Sequence, residues 1–109
     1  MATVYKVLGQ SNPSATTATT LYTVPAATST VVSTIVICNQ AATAATFRIA
    51  VRPAGATLAA LHYVAYDVTV GGGDSTALTL GLTLATTDII TVYASTATLS
   101  FNAYGSEIS

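Results

Sequence analysis

Charge is what this chain has least of: three basic side chains (Lys6, Arg48, Arg52) and four acidic ones (Asp67, Asp74, Asp88, Glu107) among 109 residues. An ordinary soluble domain is about a quarter charged, and those groups keep surfaces apart and guard exposed strand edges. A chain that lacks them is suited to being surrounded by other protein, most often copies of itself. With a net charge of −1 and no basic stripe, it has nothing to neutralise a phosphate backbone, which excludes nucleic acid as a partner. A single cysteine, Cys38, excludes an intrachain disulfide. Within the apolar run Val36-Ile37-Cys38 it is expected as a buried, inert thiol. A single histidine, His62, excludes paired-histidine metal sites and most acid–base arrangements. No apolar run approaches the roughly 20 residues of a membrane helix, so no membrane partner is expected. Met1 to Lys6 lacks a charged segment leading into an apolar one, so no signal peptide is expected either.

What is present alternates. Phe47, Ile49 and Val51 fall on one side of a strand, with Thr46, Arg48, Ala50 and Arg52 on the other. Leu78, Leu80, Leu82 and Leu84 alternate with Thr79, Gly81 and Thr83, and Leu99, Phe101 and Ala103 with Thr98, Ser100 and Asn102. A period of two in threonine-, valine- and isoleucine-rich segments marks strands with one buried face. No i, i+3, i+4, i+7 stripe competes with it. The pattern predicts about eight strands, near residues 3–8, 19–24, 31–39, 46–52, 61–68, 76–84, 88–95 and 98–104. Ser11-Asn12-Pro13-Ser14, Pro25, Pro53-Ala54-Gly55, Gly71-Gly72-Gly73-Asp74 and Gly105 punctuate them. Residues 54–60 fit a short helical turn or a loop. The expectation is an all-β, single-domain β-sandwich over residues 1–109, jelly-roll-like, with an immunoglobulin-like sandwich as the alternative. Its edges are poorly guarded, since Lys6 is the only lysine, and that favours assembly.

Few residues offer chemistry. His62, Asp67 and one of many serines could compose a triad, but no strained nucleophile turn accompanies them, so neither a catalytic residue nor an enzyme is expected. Asp67, Asp74 and Asp88 are too dispersed for a calcium loop. Asp74 and Asp88 suit turns held by side-chain bonds to backbone amides, although a calcium ion shared between subunits stays open. Gly71-Gly72-Gly73 lacks the lysine and the following helix of a phosphate loop. No cofactor or metal is expected. Four residues remain as candidate interface or ligand contacts. Arg48 and Arg52 share one strand face, where they could reach a neighbouring subunit's carboxylates or a sugar acid. Tyr63 and Tyr66 belong to a set of six tyrosines whose apolar rings and polar tips suit subunit interfaces. A carbohydrate- or receptor-binding module would use the same tyrosines with Asp67 and Gly71 to Asp74.

Three stretches carry a family likeness. They are Leu21-Tyr22-Thr23-Val24-Pro25-Ala26 with Thr30-Val31-Val32-Ser33-Thr34-Ile35-Val36-Ile37-Cys38-Asn39; Ala44 to Pro53; and Thr87 to Ser95 followed by Leu99 to Ile108. Together they resemble small structural proteins of marine tailed bacteriophages, particularly those infecting cyanobacteria. The resemblance implies a non-enzymatic virion component, made in the host cytoplasm: a capsid decoration protein or a tail-, fibre- or baseplate-associated one. The partners it implies are copies of the chain itself, by analogy a trimer, and other virion proteins such as capsid or tail components.

Overall fold

In β4 (Ala45–Arg52) Phe47 and Ile49 are fully buried, and Val51 packs against the same core. In β9 (Leu99–Ile108) Leu99, Phe101 and Ala103 are buried too. These two strands lie in different sheets, so the two alternations face one another. The computed structural model describes residues 2–109. Phe47 and Phe101 meet edge to face across the gap, with ring centroids 6.1 Å apart and planes at 76°, a geometry that adds about 1 kcal/mol beyond burial.

The other strands are β1 (Thr3–Ser11), β2 (Thr19–Thr23), β3 (Ser29–Asn39), β5 (Tyr63–Val70), β6 (Ser75–Leu78), β7 (Leu82–Leu84) and β8 (Ile89–Ala94). One sheet runs β1-β9-β3-β6, with β7 also paired to β3; the other runs β2-β8-β4-β5. All pairings are antiparallel. The strands β1 to β4 alternate one by one between the two sheets, β5 stays beside β4, and β6 with β7, then β8 and β9 alternate back, so that β8 and β9 insert between earlier strands. That order is the double Greek key of a jelly roll, and it excludes the immunoglobulin-like alternative.

Three expectations need correction. The segment 76–84 is two strands, not one: both halves pair with β3, but Gly81 turns through a left-handed conformation (φ 64°) and Leu80 lies half-exposed. The sandwich therefore has nine strands. The last strand runs on to Ile108 because Gly105 is paired, not a stop. An added Cβ there would collide with the backbone of Val31, so only glycine lets β9 lie this close to β3. Cys38 is half-buried, not buried. Ile35 and Ile37 point inward, and strict alternation then sends Val36 and Cys38 to the outer face.

Among the described residues every buried side-chain nitrogen and oxygen has a hydrogen-bond partner. The buried Asn39 amide donates to the carbonyls of Thr43 (2.8 Å) and Val70 (3.2 Å), and its oxygen accepts from Ala41 N–H (3.0 Å) and the Thr98 hydroxyl (3.1 Å). At the opposite end Tyr22, also buried, shares a hydrogen bond with Thr30 (2.8 Å) and donates to Glu107 Oε2 at 2.5 Å. Lys6 Nζ closes this cluster on Glu107 Oε1 at 3.2 Å. Burial, aided by the Glu107 bond, pushes the Tyr22 phenol up to about 12. The bond from Tyr22, with Lys6 behind it, holds the Glu107 carboxyl below its ordinary value.

These shifts predict the pH dependence of stability. A raised phenol contributes stability that is whole below its unfolded value near pH 10 and is lost as pH climbs toward about 12; a depressed carboxyl contributes stability that is lost as pH falls below the ordinary glutamate range. Denaturant titration from neutral to alkaline pH should show a loss on the order of 2 kcal/mol from Tyr22. Tyr22→Phe should be less stable at pH 7 and have a shallower alkaline slope. Equal slopes in the two proteins would refute the assignment.

Candidate functional site

The outer face of the β2-β8-β4-β5 sheet gathers three of the four candidate residues. Alternation places Arg48 outward from β4, and the register sets it directly opposite Tyr93 of β8. On the other side β5 bulges between Ala65 and Val68. Asp67, at the bulge, takes a left-handed φ of 51°, a conformation that aspartate adopts more readily than most residues. The bulge turns Tyr66 and Asp67 back over β4. Arg48 Nε then donates to Asp67 Oδ1 at 2.6 Å and Nη2 to Oδ2 at 3.4 Å. The guanidinium carbon lies 4.2 Å from the Tyr66 ring centroid and 4.3 Å from that of Tyr93. Tyr63 stands edge to face on Tyr66, centroids 4.9 Å apart.

Bonding to Asp67 raises the guanidinium's already high pKa, so Arg48 stays charged at every accessible pH. Asp67 is about half exposed, so solvent screens the pair and it adds little to stability. The two ring contacts each add an increment of similar size. Their effect is to fix orientation: Tyr66 and Tyr93 hold the guanidinium between them. Beside this stack lies a cleft of about 420 Å³, lined by Leu58, Ala59, Ala60, Tyr63 and Tyr66.

Arg52 does not join the cluster. Its guanidinium bonds the carbonyls of Ala56 (2.7 Å) and Gly55 (3.2 Å) and the Thr91 hydroxyl (3.3 Å). It braces the turn that follows β4, a single 3-10 turn at Pro53–Gly55. His62 is buried at the end of a second such turn, Ala60–His62, where Nδ1 accepts from the Ala59 N–H at 3.0 Å. Asp88 accepts from the Ala54 (2.8 Å) and Ala85 (2.9 Å) amides, and Asp74 from Ser75 N–H (2.8 Å). Each is a turn clamp of the kind the sequence suggested. Among the described residues no three acidic, histidine or cysteine side chains converge as metal ligands, and no helix is long and apolar enough to cross a membrane.

A second surface was not singled out by sequence. The outer face of the β1-β9-β3-β6 sheet receives Thr3, Tyr5 and Val7 from β1 and Ser100, Asn102, Tyr104, Ser106 and Ile108 from β9. Ser29, Val31, Thr34, Val36 and Cys38 come from β3, with Ser75 and Ala77 from β6 and Thr83 from β7. None of these is charged. Lys6 and Glu107 fall on the inner side, and the other five charges lie on the opposite sheet or in loops. Tyr5 is 83% exposed, and Val7 and Tyr104 are substantially so. With Val31, Ser33, Ser106 and the edge residue Lys6 they line a groove of about 490 Å³. The signal was legible in part: every second residue of residues 29–31 and 34–38 and of 100–108 is neutral, but the bulges that keep them on one face were not.

No protein-family model, curated protein or solved structure matches this chain.

Removing the guanidinium should free the rings it holds. Arg48→Ala is expected to fold normally, to lose little stability, and to make tyrosine emission more accessible to acrylamide; the chain has no tryptophan to mask it. Unchanged quenching would mean that the stack does not persist in solution.

Proposed function

We propose that this protein is a non-enzymatic structural subunit of a tailed-bacteriophage particle, acting through contacts with copies of itself and with other particle proteins. The observation that carries the reading is the outer face of the β1-β9-β3-β6 sheet: built from five strands, with no charged side chain alternating onto it, and bearing exposed Tyr5, Val7 and Tyr104. Permanent interfaces are poor in charge and rich in aromatics. The likeness of residues 21–39, 44–53 and 87–108 to virion structural proteins supplies the setting. Capsid or tail components are then the partners, and the particle is the location. The threefold state of capsid local axes and fibres is the analogous arrangement for self-association.

A carbohydrate-binding module is the second reading, favoured by the cleft beside Tyr63 and Tyr66. Against it, Arg48 covers the Tyr66 ring and Tyr63 abuts its edge, which leaves little flat ring for a sugar to stack on.

Peptides of this chain should co-sediment with intact particles of the phage that encodes it, at a fixed ratio to the major capsid protein. Val36→Lys, which places a charge on the neutral face, should fold with a stability change within about 1 kcal/mol and be depleted from particles. Absence of the wild-type chain from particles would overturn the reading. Saturable glycan binding abolished by Tyr63→Ala would put the second reading in its place.

A further inference from the structure

The four sheet edges are not equally protected. β2 is five residues long and bulged at Leu21; β6 and β7 are short and interrupted at Gly81. β5 is bulged twice and carries Asp67. Each of these devices discourages pairing with another chain. β1 has no bulge or interruption between Thr3 and Val7: its register with β9 is unbroken there, all five residues are exposed, the first bulge comes only at Leu8, and its one charge, Lys6, is turned to the inner side and held by Glu107.

The direction of the free backbone groups follows from one pair. Ala2 and Ser109 exchange both hydrogen bonds, at 2.7 and 2.9 Å. Bonded pairs alternate along an antiparallel ladder, so Val4 and Lys6 bond β9, while the N–H and C=O groups of Thr3, Tyr5 and Val7 point away from it. Those three residues also send their side chains to the uncharged outer face.

We propose that β1 pairs antiparallel with β1 of a second copy, with Tyr5 opposite Tyr5 on a twofold axis, joining two five-stranded sheets into one. In this register Thr3 faces the partner's Val7, so every free group of the three residues finds a mate. Registers shifted by two residues leave some unpaired. The edge is also self-compatible in charge. Lys6, the single cation of the strand, faces Val4 and not another lysine, and its ammonium is already held by Glu107. An acidic or basic peptide would find no complement on the exposed face, whereas a second neutral copy fits it. Pairing of like edges is isologous and closes at two. The inference deepens the self-association reading above and rests on it, but replaces the threefold state with a twofold one.

The test uses the alternation. Proline is tolerated in an edge strand where its missing N–H faces outward. Tyr5→Pro should therefore keep the β9 ladder and the fold, whereas Val4→Pro should destabilise the monomer. By light scattering the wild-type chain should have about twice the 11.0 kDa chain mass, and Tyr5→Pro should have the chain mass alone. In a Cys38→Ser background, Tyr5→Cys should form a covalent dimer under mild oxidation, since directly bonded strand pairs bring Cα atoms within about 5.5 Å; Lys6→Cys, aimed inward, should not. A trimer or larger ring unaffected by Tyr5→Pro would overturn the edge pairing while leaving self-association intact. A wild-type monomer at all concentrations, with no Tyr5→Cys cross-link, would overturn the pairing and self-association together. The presence of the chain in particles would then decide whether the virion reading survives through other partners.

Discussion

The ladder between β3 and β9 is the constraint on which the remaining structure depends. Every other strand of that sheet pairs with one of these two. Their inner faces supply Val32, Ile35, Ile37, Leu99, Phe101 and Ala103 to the core. The ladder also requires glycine at position 105, where an added Cβ would collide with the Val31 backbone. β3 and β9 shift register by one residue between Val32 and Thr34. That bulge switches parity, so Thr30 and Val32 point inward before it and Ile35, Ile37 and Asn39 after it. Without the shift, one half of β3 would turn its apolar side chains to solvent.

With so few charges, a neutral amide closes one end of the sandwich. Asn39 uses both amide hydrogens and both oxygen lone pairs at one end, which is all an amide can offer. At the other end one phenol and one carboxylate suffice. Among the described residues no buried side-chain nitrogen or oxygen lacks a partner. Arg48, Arg52, Asp74 and Asp88 are spent on turns and on the outer stack, so the scarce ionic groups hold the chain to itself. The outer face of the β1-β9-β3-β6 sheet is left without charge.

The sandwich was legible because period-two alternation is local: Phe47-Ile49-Val51 and Leu99-Phe101-Ala103 announce their faces within five residues. The leucine series 78–84 misled for the same reason, since a left-handed Gly81 breaks the strand without disturbing the pattern of letters. The jelly-roll order depends on pairings between residues as far apart as Thr3 and Ile108, beyond any local signal. At the site, Arg48, Tyr63 and Tyr66 were visible as residue types, and Arg52 equally so. Only the fold separates the arginine held between rings from the one bracing a turn. Tyr93 was overlooked as one tyrosine among several, and the neutral outer face was hidden by the bulges at Leu8 and Ser33-Thr34.

The uncharged sheet has a thermal consequence. Contacts made through it have no Coulomb attraction for dissolved ions to screen. Their strength comes from carbon leaving water, and that driving force weakens on cooling. A particle held together by such faces would keep its cohesion in brine and lose it first on ice.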